Sequence, residues 1–314
     1  MGTVETPLVA AESESRHGKN WTLYLGDSCA EIDLIESDTV GLSIFSPPFS
    51  NLYIYSDSIA DMGNCADDDE FMEHFGFLIP KLYRVTMPGR LCAVHCKDLP
   101  KYINRDGAAG LRDFPGKIIQ LFESNGWTYH SRTTIWKDPV IEMQRTKNHG
   151  LLYKNFRLRG EVTRQGMADY LIVFRKWDEG MIGSESPHPV RHDSSEFPLE
   201  IWQSWASPVW SDIDQTDVLN YNLAREKSDE RHICPLQLGV IRRAILLWTN
   251  PGDLVFSPFA GIGSEGYVSI LQGRRFYGCE LKDEYHAAAI ENLRSAERKA
   301  QRANSPSLFA EVSQ

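Results

Sequence analysis

Two short stretches of this 314-residue chain combine residue types that chemistry needs. The first is Phe256-Ser257-Pro258-Phe259-Ala260-Gly261-Ile262-Gly263-Ser264, followed downstream by Tyr277-Gly278-Cys279-Glu280. Here a β-prone run enters a tight glycine loop, and glycine lets a backbone turn sharply and approach a ligand closely. Glu280 follows Gly261 by 19 residues. That is near the roughly 20-residue spacing at which an acid ending the next strand accepts both hydroxyls of a ribose. The second stretch is Ser46-Pro47-Pro48-Phe49, a hydroxyl, a rigid dipeptide whose carbonyls point outward and an aromatic ring. Ser46 Oγ and the Pro47 carbonyl can accept the two hydrogens of a planar amine while Phe49 stacks on its ring. Taken singly, each stretch also reads as an ordinary turn of an α/β fold.

The elements around them are of the type that would carry such sites. The β-prone run 21–25 stops at Gly26-Asp27, and the apolar run 39–45 ends at Ser46-Pro47-Pro48, because two prolines cannot donate to a ladder. Phe71, Phe75, Leu78, Ile79 and Leu82 recur at helical spacing behind the acids of 67–70, and Pro88-Gly89 is expected to break that helix. A strand follows at 90–96, then a helix over 113–125 stopped by Gly126, and two β-rich runs at 128–136 and 170–174 separated by a basic insertion, 139–168. Further on come a helix at 236–249, a turn at 250–253, strands at 254–256 and 275–281, and an amphipathic helix from 283 to about 299. Strands alternating with helices predict an α/β fold with a mostly parallel sheet covered on both faces, its two β-rich runs forming an antiparallel pair at the edge. The expected organisation is a flexible arm over 1–20, a first half over 21–177, an irregular Pro-, Ser- and Trp-punctuated insertion over 178–231, a second half over 232–300 and a flexible tail over 301–314. Trp202, Trp205 and Trp210 in the insertion are expected to form a small core or a partner surface.

Composition excludes several classes. With 42% hydrophobic and 24% charged residues the chain is globular, and no apolar run approaches the roughly 18 residues a membrane helix needs. The first 20 residues lack the basic start and apolar stretch of a signal peptide, so a cytoplasmic protein is expected. Six cysteines form no disulfide framework at this length and read as reduced. Cys92, His95 and Cys96 share one apolar strand without a second ligand pair, so they are read as packing residues and no metal site is expected. Net charge is −10, yet it is unevenly spread. Residues 127–177 carry ten Lys/Arg against four acids, whereas 178–231 carry four against twelve. A polyanion would meet the first region and be repelled by the second.

Together the two stretches resemble the amino-methyltransferases of DNA, which transfer a methyl group from S-adenosyl-L-methionine to the exocyclic amine of cytosine or adenine. Ser46-Pro47-Pro48-Phe49 matches their Ser/Asp/Asn-Pro-Pro-aromatic motif, and Ser257 to Gly263 match their Asp-Pro-Phe-x-Gly-x-Gly motif except at its first residue. The motif order is that of the permuted beta group. The resemblance implies a Rossmann-like seven-stranded sheet with an inserted region. On the cofactor side it implies that Glu280 binds the ribose, Asp27 the adenine amine, and Ser257, Phe259, Gly261 and Gly263 the methionine part, with Pro235 in a segment closing over it. On the catalytic side it implies Ser46, Pro47, Pro48 and Phe49, acting by direct in-line transfer on a base flipped from duplex DNA. Arg145, Lys147, Lys154, Arg157, Arg159 and Arg164 of the basic insertion are the expected phosphate contacts. The Ser-Pro-Pro form points to cytosine N4, with adenine N6 as the alternative. A non-catalytic protein that binds the cofactor, or binds a protein partner through the acidic 178–231 segment, is the reading from a different class. Ser257 speaks for that last reading, while the intact Ser46 motif and Glu280 speak against it. The expected host is a prokaryotic or phage-infected cell, and the enzyme is either half of a restriction-modification pair or solitary.

Overall fold

The protein is described here by a computed structural model covering residues 14–49, 62–145, 157, 166–177, 186–195, 197–219 and 235–304. One sheet dominates it, with strands β1 (Glu14–His17), β2 (Trp21–Leu25), β3 (Val40–Phe45), β4 (Thr86–Cys96), β7 (Thr128–Ile135), β8 (Asp169–Arg175), β9 (Val209–Trp210), β10 (Leu254–Ser257) and β11 (Arg275–Glu280). A separate small hairpin pairs β5 (Leu99–Lys101) with β6 (Gly110–Arg112). The sheet order is β1-β2-β11-β10-β3-β4-β8-β7-β9. Strands β2, β11, β10, β3 and β4 run parallel, and β8 lies antiparallel between β4 and β7. Every C-terminal end of that parallel set therefore opens on the same edge, which also receives the first residues of β8. Seven of the nine strands make up the expected sheet; β1 and β9 extend it at its two edges.

Strict alternation along the strands feeds two cores, one on each face. Leu42, Ile44, Ala93 and Val173 pack with Ile241, Ala244, Ile245, Val268 and Leu293 of the helices Leu238–Trp248, Ser264–Leu271 and Asp283–Asn304. Phe45, Cys92, Val94, Phe174 and Phe256 pack on the other side with Phe71, Phe75, Leu82, Ile118 and Phe122. Phe122 stacks on Phe174 with ring centroids 4.0 Å apart, a contact worth about 0.5–1.5 kcal/mol beyond its burial.

Several sequence expectations are corrected. The helix expected behind residues 67–70 is two helices, Asp68–Gly76 and Ile79–Val85, because Pro80 is tolerated only in a first turn and starts the second one. Pro88-Gly89 lies inside β4, where the β3 register jumps from Val40↔Thr86 to Leu42↔Leu91, so the pair forms a bulge rather than a helix stop. Part of the expected flexible arm, Glu14–His17, forms β1 and pairs with β2 ahead of Trp21. The described part of the acidic segment packs on the sheet. Phe197, Trp210, Ile213 and Leu219 join the core cluster of Leu42 and Ile44, and β9 extends β7. Arg243 sits over the rings of Trp205 and Trp210, at 5.1 and 5.3 Å, while Trp202 stays exposed. Among the described residues no helix is long and apolar enough to cross a membrane.

Candidate active site

The glycine stretch forms the junction between β10 and the helix Ser264–Leu271. Gly261 and Gly263 adopt φ +53° and +84°, left-handed values that a side chain would strain. A Cβ at Gly263 would stand 3.1 Å from the Ala289 Cβ, whereas one at Gly261 would meet nothing within 4 Å. The loop is thus pinned on one side and open on the other. Glu280, at the end of β11, holds it: Oε2 accepts from the Gly261 N–H at 2.7 Å and Oε1 from the Lys282 N–H at 2.9 Å. A carboxylate offers about four acceptor positions, and these two backbone bonds fix the Glu280 carboxylate against the loop. The Gly26 N–H donates to the Glu280 carbonyl at 2.9 Å, which brings Asp27 to the same edge. Asp27 Oδ1 accepts from the Cys29 N–H and caps the helix Ser28–Glu31. The Phe259 ring turns into the core against Phe45 and Phe75, so what it leaves to the loop is backbone. The Ser257 hydroxyl is fully buried without a hydrogen-bond partner. Pro235 is half-buried before the helix Leu238–Trp248.

The second stretch follows β3. Ser46 Oγ lies 2.8 Å from His95 Nδ1 near the end of β4, and His95 Nε2 lies 3.1 Å from Asp169 Oδ2 at the start of β8. Lys137, just beyond β7, completes the chain, its Nζ 2.8 Å from the same oxygen. Burial alone would raise the Asp169 carboxyl. The hydrogen bond from His95 and the nearby charges of His95, Lys137 and Lys97 outweigh it and hold the acid well below the ordinary carboxylate range. Ionised, Asp169 only accepts, so Nε2 supplies the hydrogen. In the neutral ring Nδ1 then accepts the Ser46 O–H, and the lone pairs of Ser46 Oγ are left facing outward as acceptors. Phe49 stands beside this chain, edge-on to His95 and Phe114 at 6.4 Å each.

The structure therefore brings Ser46, Pro47, Pro48, Phe49, Asp27, Ser257, Gly261, Gly263 and Glu280 to one sheet edge. It corrects the reading of His95 as a packing residue, since both ring nitrogens are engaged in the Ser46–Asp169 chain. Cys92 and Cys96 are buried, and burial pushes both thiols up. His95, Lys137 and Asp169 escaped the sequence reading because each sits among apolar or basic residues of a different strand. The available signal was a polar residue at the C-terminal end of an apolar strand, where open α/β sheets place ligands. Of the basic residues expected on DNA, Arg157 is exposed and Arg145 ends the helix Pro139–Arg145. Lys147, Lys154, Arg159 and Arg164 lie outside the described residues.

Against known proteins, residues 40–291 match the DNA methylase family model of N6 and N4 methyltransferases. The chain belongs to this DNA methylase family. It is similar to the DNA adenine methyltransferase YhdJ of Escherichia coli (24% identity; 87% of this chain and 82% of that protein). It is also similar to the type II methyltransferase M.BglII of Bacillus subtilis (37% identity; 86% of this chain and 68% of that protein). In fold it is similar to TTHA0409 of Thermus thermophilus solved with S-adenosyl-L-methionine (TM-score 0.63, 18% identity; 88% of this chain and 96% of that one). PvuII DNA methyltransferase, cytosine-N4-specific, is a further fold relative (TM-score 0.59, 16% identity; 90% of this chain and 93% of that one). This methylase is thus an S-adenosyl-L-methionine-dependent DNA methyltransferase of the N6/N4 family. Its residues fit that cofactor: the open side of Gly261 gives room, the Glu280 carboxylate is held at the loop by the Gly261 N–H, and the orphan Ser257 hydroxyl lies at the loop's head.

Proposed function

We propose that this methylase modifies the N4 amine of cytosine in DNA, on a base turned out of the duplex onto Phe49. An exocyclic amine is unreachable within the stack, which is why the base must leave it. The observation that carries the reading is the Ser46–His95–Asp169 chain, because it orients a neutral hydroxyl as hydrogen acceptor where the amine would lie. Ser46 Oγ and the Pro47 carbonyl each take one amine hydrogen and turn the nitrogen lone pair toward the cofactor side. The cofactor supplies an activated methyl group on a sulfonium. As nitrogen gains carbon it must lose a proton; the N–H bond breaks toward Ser46 Oγ while the Ser46 O–H passes to His95 Nδ1. Asp169 stabilises the imidazolium so formed, as a carboxylate does for the histidine of a hydrolytic triad. On the cofactor side Glu280 would hold the ribose and Asp27 the adenine amine, while the loop from Ser257 to Gly263, together with Pro235, would hold the methionine part. The serine in place of an acid and the fold likeness to the cytosine-N4-specific PvuII enzyme both support cytosine. The adenine reading is kept by the similarity to YhdJ, and the type II names of relatives support a role beside a restriction nuclease.

The test is incubation with methyl-labelled S-adenosyl-L-methionine and mixed-sequence DNA, digestion to nucleosides and mass spectrometry. N4-methylcytosine is expected; N6-methyladenine would keep the mechanism and replace the base. Duplex binding is proposed to fall to the basic insertion. Neutralising Arg157 and Arg159 together should lower the slope of log K against log salt by about 2, and an unchanged slope would remove that contact.

A further inference from the structure

One buried carboxyl at this sheet edge belongs to neither stretch's chemistry. Glu265, in the first turn of the helix Ser264–Leu271, is 4% exposed and is not part of either stretch's expected chemistry. Three other acids of similar burial are matched to a cation: Asp68 to Arg112, Glu142 to Lys97 and Asp169 to Lys137. Among the described residues no cation pairs with Glu265. Its carboxyl has a hydrogen bond from its own backbone N–H, and the charged group that acts on it is another acid, Glu280. Burying a carboxylate without a counter-charge is costly, and folded proteins avoid it unless a partner arrives from elsewhere. Two residues earlier the chain passes Gly263, and four residues earlier the open side of Gly261. At the head of the same loop stands Ser257, whose buried hydroxyl has no partner and carries no charge.

We infer that Glu265 is the counter-ion for the α-ammonium at the amino-acid end of bound S-adenosyl-L-methionine. The inference depends on the cofactor alone and holds for either base. The geometry is complementary along the cofactor's length: Glu280 takes the ribose at one end of the loop, and Glu265 meets the one primary cation at the other. On the elements packed against this turn, β11 presents Glu280, and the helix Asp283–Asn304 presents the apolar Ala289 to Gly263 and Leu293 to Gly266. Of these three residues Glu280 alone is charged, and it is assigned to the ribose. Burial, with a lesser push from Glu280, raises the free-protein carboxyl to about 8. At pH 7 it is therefore roughly 90% protonated before the cofactor binds. Pairing with the ammonium ionises it, the carboxyl O–H proton passing to solvent. Binding and proton release are thereby linked.

The experiment is titration calorimetry of the whole protein at pH 7 in phosphate and in Tris, whose different ionisation enthalpies count protons. The ligands are S-adenosylhomocysteine, which keeps the ammonium but lacks the sulfonium, and 5′-methylthioadenosine, which lacks the amino-acid end. Wild type should release close to one proton with S-adenosylhomocysteine and close to none with methylthioadenosine. Glu265→Gln, matching the protonated carboxyl in shape, should melt no lower than wild type at pH 7. It should bind S-adenosylhomocysteine about 10-fold or more weakly without proton release, and bind methylthioadenosine within about 2-fold of wild type. Wild-type binding without proton release overturns the inference, as does a Glu265→Gln protein that binds S-adenosylhomocysteine normally. An equal loss for both ligands overturns it too, because a distorted loop rather than a missing counter-ion would then be at work.

Discussion

The cofactor side and the acceptor side of the site share one sheet edge but are built from different material. At the cofactor side the work is done by main chain: two left-handed glycines, a loop pinned by Ala289, and a carboxylate that receives amide N–H groups. At the acceptor side it is done by side chains, since Ser46, His95, Asp169 and Lys137 come from four different strands or strand ends and meet only through hydrogen bonds. A backbone-built site resists side-chain change except where a Cβ cannot fit. A side-chain chain is rigid only while every member is present, because removing one strands a buried charge.

The sharpest break in that comparison is Gly263→Val. A β-branched residue at φ +84° and 3.1 Å from the Ala289 Cβ should abolish S-adenosylhomocysteine binding in calorimetry and lower the melting temperature. Retained binding would mean that the loop does not form the cofactor side. Next in size is Asp169→Asn. It leaves Lys137 buried and unpaired, at an expected cost of about 3–5 kcal/mol in chemical denaturation, and Lys137→Met in the same protein should recover part of it. The Asp169 acid is held below its ordinary value of 3.8 in the fold, so the stability it contributes is present above that value and lost as pH falls through the folded one. The Asn variant should therefore show a flatter acid limb. Ser46→Ala should reduce kcat about 100- to 1,000-fold while S-adenosylhomocysteine binds as before, since the role proposed for its oxygen is toward the amine and not the cofactor. A rise in the cofactor Kd instead would merge the two sides.

Glu265 has the opposite sign to Asp169. Its folded value of about 8 exceeds its ordinary 4.5, so the unfolded chain holds fewer protons between those limits. Cofactor-free wild type should lose stability as pH rises through that window, by up to about 1.4 kcal/mol per pH unit, and Glu265→Gln should flatten the slope. The smallest effect is expected away from both sides. The Lys176–Asp38 pair at 2.6 Å has an exposed acid, and Asp38→Ala should cost about 1 kcal/mol or less with methyl transfer unchanged.

The same contrast explains what was legible beforehand. Gly261, Gly263, Glu280 and Ser46-Pro47-Pro48-Phe49 announce themselves because each lies within a short window whose backbone needs are local. The paired β7 and β8 and the helices on both faces were equally readable from periodicity. Pro80 was overlooked because the apolar spacing from Phe71 to Leu82 continues through it, although a proline inside a helical pattern marks a boundary. β1 and β9 could not be read, since an edge strand of two to four residues has no period of its own and exists by pairing. His95 was misread for a related cause. Within 90–96 it is a lone polar residue in an apolar run, and its partner Asp169 is 74 positions away.

The sequence by itself determined the order of the longer strands and of the helical regions, the glycine loop with its acid, and the Ser46-Pro47-Pro48-Phe49 motif, because each depends on torsional limits and spacings within about twenty residues. Tertiary structure alone decided which way the Ser46 hydroxyl points and which buried acid is left without a cation. Those outcomes depend on which strand ends become neighbours, and β8 pairs with β4 although His95 and Asp169 stand 74 positions apart in the chain.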